Sequence, residues 1–210
     1  MQSMLKQTFT TLLHTYTTDT GLIDTLWNEI EKAYSASKRK YHTRSHLEHV
    51  LAQLILVKDN IQDWNTLLFT LFYHDVVYKA SRSDNEEQSA AIAEKRMKQL
   101  AVSDEKIQKC KNQILATKSH IEQTDADTNY FTDADLSILG QEWDIYAEYC
   151  KQVRKEYALY PDFLYIPGRK KVLTHFLNME RIFKTDYFFK AFEEKAQNNL
   201  TAELQLLETR

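Results

Sequence analysis

Glycine and proline are almost missing from this chain, at three and two in 210 residues. Tight turns are built chiefly from these two residues, so a sheet protein of this length would need many more of them. Their scarcity argues for long helices joined by few connections. Cysteine is scarce as well. Cys110 and Cys150 lack metal-type spacing and form no disulfide framework, which suits a reducing compartment. No window approaches the apolar length of a membrane span, and the segment MQSMLKQTFTTLLHTYTT has no apolar core of the signal-peptide kind. An excess of positive charge is also lacking. A net charge of -3 and a pI near 6.2 argue against a strong nucleic-acid footprint, though not against a local basic pocket. Together these absences predict a soluble, cytoplasmic protein with no membrane partner, and they leave its oligomeric state open.

What is present is an ordinary globular composition, 43% hydrophobic and 27% charged. There is no repeat, low-complexity tract or linker-like run, so one domain over residues 1–210 is expected. Apolar spacing predicts amphipathic helices around 4–17 and 22–35. Ser45-x-x-Glu48 reads as a capping box opening a helix with His46 on its first turn and His42 just outside. Residues 64–78, WNTLLFTLFYHDVVY, are apolar nearly all round, as in a deeply buried helix, with His74 and Asp75 in its last stretch. Asp84 to Glu87 reads as a second capping box, opening a helix to about Leu100, and Ser103 as the cap of one running to about Lys118. A short helix is expected from Thr132 or Asp133 to Gly140 and a longer one from Glu142 to Leu159. Pro161 and Pro167 should bracket an irregular stretch, followed by helices near 169–182 and 186–207. The expected architecture is an all-α, compact helical bundle.

One set of residues carries chemistry: His46, the adjacent pair His74-Asp75, and Asp135. An ionised Asp in an apolar helix costs on the order of several kcal/mol unless it is paired or holds a metal. Imidazole nitrogen and carboxylate oxygen together suit a divalent transition ion. A lone His-Asp dipeptide would read as a self-satisfied pair. The upstream His and downstream Asp shift that balance toward a metal site.

The ordered set His46, His74-Asp75, Asp135 resembles the HD-domain superfamily of metal-dependent phosphohydrolases. The phrases YHTRSH, FYHDVVY, NEEQSA, FTDADLSILG and GRKKVLTHFLNMERIFKT look like a bacterial branch of predicted phosphohydrolases, so the resemblance covers most of the chain. It implies an HD-type fold, with His46, His74, Asp75 and Asp135 as ligands of a divalent ion (Mn, Fe, Ni, Co, Zn or Mg). Asp133 competes for the last place. Its alternative is a helix-start carboxylate, and the step Ala134-Asp135-Leu136 favours Asp135. The implied reaction is hydrolysis of a phosphate ester, a nucleotide or other small phosphoester, by metal-activated water.

Around that set, His42 reads either as a proton donor to the leaving oxygen or as a hydrogen-bonding support for a ligand. Glu86 is available to orient a water or accept a proton, whereas Glu87 has a capping role. Arg44, Lys79, Arg82, Lys118 and Arg169 are candidates to bind phosphate oxygens, against the usual fate of surface charges as solvated groups. His120 reads as an extra ligand or phosphate contact, or as a histidine favoured by a helix C-terminus. Two rival functions stay open: a di-iron oxygenase, which needs more ligands than are visible, and a non-catalytic ligand- or partner-binding domain.

Overall fold

The computed structural model describes residues 3–209. Among the described residues there is no strand, only ten α-helices and two short 3-10 turns. The all-helical expectation therefore holds. Chain contacts divide it into two units, one ending at Thr132 and one beginning at Asp133, a boundary that no shift in composition marks.

The first unit contains α1 (Met4–His14), α2 (Thr20–Tyr34), α3 (Arg44–Leu56), a 3-10 turn (Lys58–Asn60), α4 (Trp64–Tyr73), α5 (Asn85–Gln99) and α6 (Asp104–Ala116). The boundary falls within α7 (Ala126–Leu136). Several starts are sealed by side chains that accept an orphan N–H of the first turn. Asp19 accepts from Leu22 N at 3.0 Å, Asp63 from Thr66 N at 3.1 Å and Asp125 from Thr128 N at 3.1 Å. The two expected capping boxes do not form. Thr43, not Ser45, precedes α3, with no side-chain cap. The Asp84 carboxylate is instead held by Arg82, Nε and Nη2 each at 2.7 Å. Ser103 stands at the start of α6 but makes no capping bond.

Helix α4 is the spine of this unit, with every side chain from Thr66 to Tyr73 buried. Phe9 of α1 packs edge-on against Phe72 at 4.9 Å between ring centroids and tilts against Trp27 of α2 at 5.7 Å. Its two threonines are satisfied internally: the Thr66 hydroxyl donates to Asp63 Oδ2 at 2.7 Å and the Thr70 hydroxyl to Gln113 Oε1 of α6 at 2.6 Å. The helix does not reach residue 78 as its apolar pattern predicts. Its last turn closes with His74 N donating to Thr70 O at 2.9 Å, and His74 is the cap, so Asp75 stands beyond the helix. The cause is tertiary. The Tyr34 hydroxyl accepts from Asp75 N and the Ser89 hydroxyl from Val77 N, while Arg39 takes the carbonyls of Asp75 and Val76, so this backbone bonds outside the helix.

The second unit continues from α7 through a 3-10 turn (Ser137–Gly140) into α8 (Trp143–Glu156), α9 (Asp162–Leu177) and α10 (Asp186–Glu208). Helix α7 starts at Ala126, earlier than expected, because Asp125 caps it. Pro167 does not bound an irregular stretch but lies inside α9. It removes the donor for the Phe163 carbonyl. Phe163 is 75% exposed, so water can replace that donor. Asp133 sits within α7, yet its carboxylate caps α10, accepting from Lys184 N at 3.0 Å and from Thr185 N and Oγ1 at 2.7 and 2.8 Å.

At Gly140 the chain meets α10 so closely that an added Cβ would lie 2.5 Å from Phe192 Cβ and 2.6 Å from Phe192 O. Asn199 Nδ2 donates to Leu139 O at 2.8 Å and to Gln141 O at 2.9 Å. A buried ion pair joins α9 to α10. Arg169 Nε and Nη2 donate to Glu203 Oε1 and Oε2 at 2.7 and 2.8 Å, with both residues 8% exposed. Glu203 Oε2 also accepts from the Tyr146 hydroxyl and the Cys150 thiol. Burial pushes that thiol up to about 12, so it is a donor here and not a nucleophile.

Candidate metal centre

Two helix ends and one turn make the centre. His46 is on the first turn of α3 and His74 caps α4, at 4% and 1% exposed, while the Asp75 side chain is 16% exposed. His46 Nε2 lies 3.1 Å from His74 Nε2, and Asp75 Oδ2 lies 3.3 Å from His74 Nε2 and 3.9 Å from His46 Nε2. These ligand atoms all fall within 4.8 Å of one another. His42 stands at the rim, its Nε2 3.8 Å from Asp75 Oδ2 and its ring stacked on Tyr78 at 3.8 Å. Phe131 of α7 covers His74 edge-on at 5.4 Å.

The donor set fits a divalent ion. His74 Nδ1 is 2.9 Å from Leu71 O. A carbonyl can only accept, so this bond assigns the proton to Nδ1 and leaves the Nε2 lone pair facing His46, the arrangement in which metal-binding histidines are held. Donor atoms about 2.1 Å from a common ion stand about 3.0 Å apart at a right angle and about 3.4 Å apart at the tetrahedral angle. The separations of 3.1 and 3.3 Å fall in that range, and 3.9 Å corresponds to a wider angle. Burial by itself would raise the Asp75 carboxyl. When the nearby imidazoles carry protons, His74 by charge and hydrogen bond, and His42 and His46 by charge, outweigh it and hold the group far below the usual carboxylate range, as an anion.

The remaining expected residues divide by location. Glu86, on the first turn of α5, has its carboxyl raised by burial. Asp75 and Glu87 add to that rise, while its own N–H and Lys118 oppose it. Lys118 Nζ is 4.0 Å from Glu86, pairs with Glu87 and donates to Ser83 O at 2.8 Å. Lys79 is exposed, and its backbone N–H bonds Asn85 Oδ1 at 3.0 Å. Arg44 turns to Glu31 at 2.7 Å on the surface. Arg82 is engaged by Asp84. Arg169 is corrected from phosphate ligand to partner of Glu203, because its guanidinium is buried in that pair. Asp135 lies on the last turn of α7 in the second unit and is not among the three residues whose ligand atoms converge. Its charge acts on Lys184 there. His120 follows α6 in a left-handed conformation with φ 53, its N–H bonded to Ala116 O at 2.9 Å.

Arg39 is the residue that motif reading missed. It is 7% exposed and donates to Asp75 O at 2.7 Å, Val76 O at 2.9 Å and His42 O at 3.3 Å. Within Lys38-Arg39-Lys40 it looks like one of three solvated charges, and no local pattern singles it out.

No family model matches the chain, and no curated protein or solved structure matches it. No helix among the described residues is long and apolar enough to cross a membrane.

Proposed function

We propose that the chain is an HD-type, metal-dependent phosphohydrolase that acts in the cytoplasm on a small phosphoester such as a nucleotide. The observation that carries this reading is the convergence of His46 Nε2, His74 Nε2 and Asp75 Oδ2, with His74 oriented by Leu71 O. These three residues would hold the ion, and the family resemblance alone implies Asp135 as a further ligand. A divalent ion in such a site supplies Lewis-acid polarisation of the phosphoryl group and makes water acidic enough to attack near neutral pH. The chain's own groups do the rest. His42, whose Nε2 is 3.8 Å from Asp75, gives a proton to the leaving oxygen. Glu86, whose carboxyl is raised by burial, takes a proton from the attacking water. Lys118 and Lys79 offset charge on the non-bridging oxygens.

Elemental analysis of the purified protein, with a phosphatase screen over nucleotides and small phosphoesters in added Mn, tests the proposal. About one metal per chain and turnover on a phosphoester are expected. His74→Ala and Asp75→Ala should each abolish stoichiometric metal, and Asp135→Asn should weaken binding more than Asp133→Asn. Wild-type metal content in both the His74 and Asp75 variants would overturn the site. Bound iron with oxygen consumption would favour an oxygenase. Neither metal nor turnover after reconstitution would leave a binding domain in which the two imidazoles hydrogen-bond each other.

A further inference from the structure

We infer that Arg39 is the positioning residue of this metal centre, a buried guanidinium that fixes the Asp75 turn against the His42 loop so that the donor atoms meet before an ion arrives. The inference rests on the metal-binding reading above and extends it to a residue outside the ligand set.

Once α4 ends, the carbonyls of Asp75 and Val76 have no helical acceptor role to fill. Both are taken by one planar fork: Nη1 reaches Asp75 O at 2.7 Å and Nη2 reaches Val76 O at 2.9 Å. The same Nη1 reaches back to His42 O at 3.3 Å, which ties the segment before α3 to the segment after α4. Asp75 is gripped from its other side too, because its N–H donates to the Tyr34 hydroxyl at 3.2 Å. The guanidinium lies over the Tyr34 ring at 4.9 Å and the Tyr78 ring at 5.8 Å, and Tyr78 in turn stacks on His42. One side chain thus orders the peptide of a ligand and the rim histidine together. Among the described residues, none of the Arg39 contacts is with a carboxylate. Its charge is spent on carbonyl dipoles and ring faces, where hydrogen bonds from an ionised donor are roughly twice as strong as neutral ones.

Two effects of Arg39 on a bound cation oppose each other. Its positive charge repels the ion, so deleting it would tighten binding. Its hydrogen bonds hold the ligand turn in place, so deleting it would loosen binding. Charge repulsion is moderated by the carbonyls that surround the guanidinium, whereas the support of a ligand is typically worth about 10- to 100-fold in metal affinity. Positioning should therefore win, and the sign of the effect decides between the two.

The test is a competition titration of the full chain with cobalt(II) against a chromophoric chelator, read with the visible ligand-field spectrum of the bound cobalt. Arg39→Met keeps the bulk and removes every donor. It is expected to weaken cobalt about 10- to 100-fold and to alter the spectrum, with Arg39→Lys between it and wild type. Asp63→Ala, a lost cap at the far end of α4, controls for a general loss of stability and should keep both affinity and spectrum. If Arg39→Met does not fold, Tyr34→Phe removes the other grip on Asp75. One hydrogen bond there corresponds to an affinity loss of about five-fold. Equal or tighter binding by Arg39→Met, or by Tyr34→Phe where that variant is used, overturns the positioning role while leaving the metal site standing. A wild-type chain that binds no cobalt overturns the metal reading and this inference with it.

Discussion

Replacing Arg169 by Met should be among the most damaging single changes in the second unit, and its cost should depend on pH with a sign opposite to ordinary acid lability. Glu203 is 8% exposed and receives two of its hydrogen bonds from Arg169. Removing one partner of a buried pair leaves an uncompensated charge and costs about 3–5 kcal/mol, a large part of the ~5–15 kcal/mol that holds a domain together. In the wild type, burial raises the Glu203 carboxyl, but the hydrogen bonds and charge of Arg169, with Tyr146 and Cys150, outweigh it and keep the group below its ordinary value. A depressed folded value means that this contribution is complete above the unfolded carboxylate range. It is lost as pH falls toward and through the folded value. In Arg169→Met the burial effect stands without its main opponent, so the folded value rises above the unfolded one and the variant gains stability as pH falls. The gap between the two proteins should therefore narrow from pH 7 to about pH 4. Urea unfolding at a series of pH values measures it. Arg169→Met/Glu203→Leu should recover most of the loss, with a coupling of about 2 kcal/mol or more. A single-variant cost below about 1 kcal/mol, or a pH-independent gap, would refute the buried-pair reasoning.

Ala101 ends α5 in a left-handed conformation, φ 53, with Val102 N bonded to Met97 O at 3.0 Å. Ala101→Gly should raise thermal stability by about 0.5–1 kcal/mol, since glycine adopts that conformation without a side-chain clash. Gly140→Ala should destabilise by about 1–3 kcal/mol or more, because the clash is with the backbone of Phe192 as well as its side chain. Gly168→Ala, inside α9 with nothing within 4 Å of the new methyl, should stabilise by about 0.5–1 kcal/mol in the same melting assay. Asp133→Ala should loosen the start of α10 and cost about 2 kcal/mol in urea unfolding, with metal content unchanged if the carboxylate serves only as a cap.

Helix positions were legible in the sequence because apolar spacing and capping residues are local. Their ends were less so where tertiary donors decide them. The apolar run 64–78 carries no sign that the Tyr34 and Ser89 hydroxyls, distant in sequence, take the N–H groups of Asp75 and Val77, so that α4 stops at Tyr73. Asp84 has the residue type of a cap, but Arg82 engages its carboxylate first. In the centre, His46, His74 and Asp75 stood out because their side chains are the donors themselves. Arg39 acts through its hydrogen bonds to backbone carbonyls, and no motif records a carbonyl. Arg169 misled for a related reason: in Gly168-Arg169-Lys170-Lys171 one cation turns inward to a glutamate that only α10 supplies.

The contacts around Gly140 have a consequence for how α10 can sit. Phe192 meets Gly140 backbone to backbone, and Asn199, seven positions later, grips the carbonyls on either side of that glycine. Seven residues span about 10.5 Å, two turns less roughly 20° of rotation, so both points of attachment lie on nearly one line along the helix. Like two teeth of a rack, they engage only when both mesh. A slide of one turn, the small error a long, evenly patterned helix most readily makes, would bring a side chain's bulk to a neighbour that tolerates none and leave two carbonyls unbonded. The axial setting of this helix is thus indexed in steps, and the smallest residue in the chain is what sets the index.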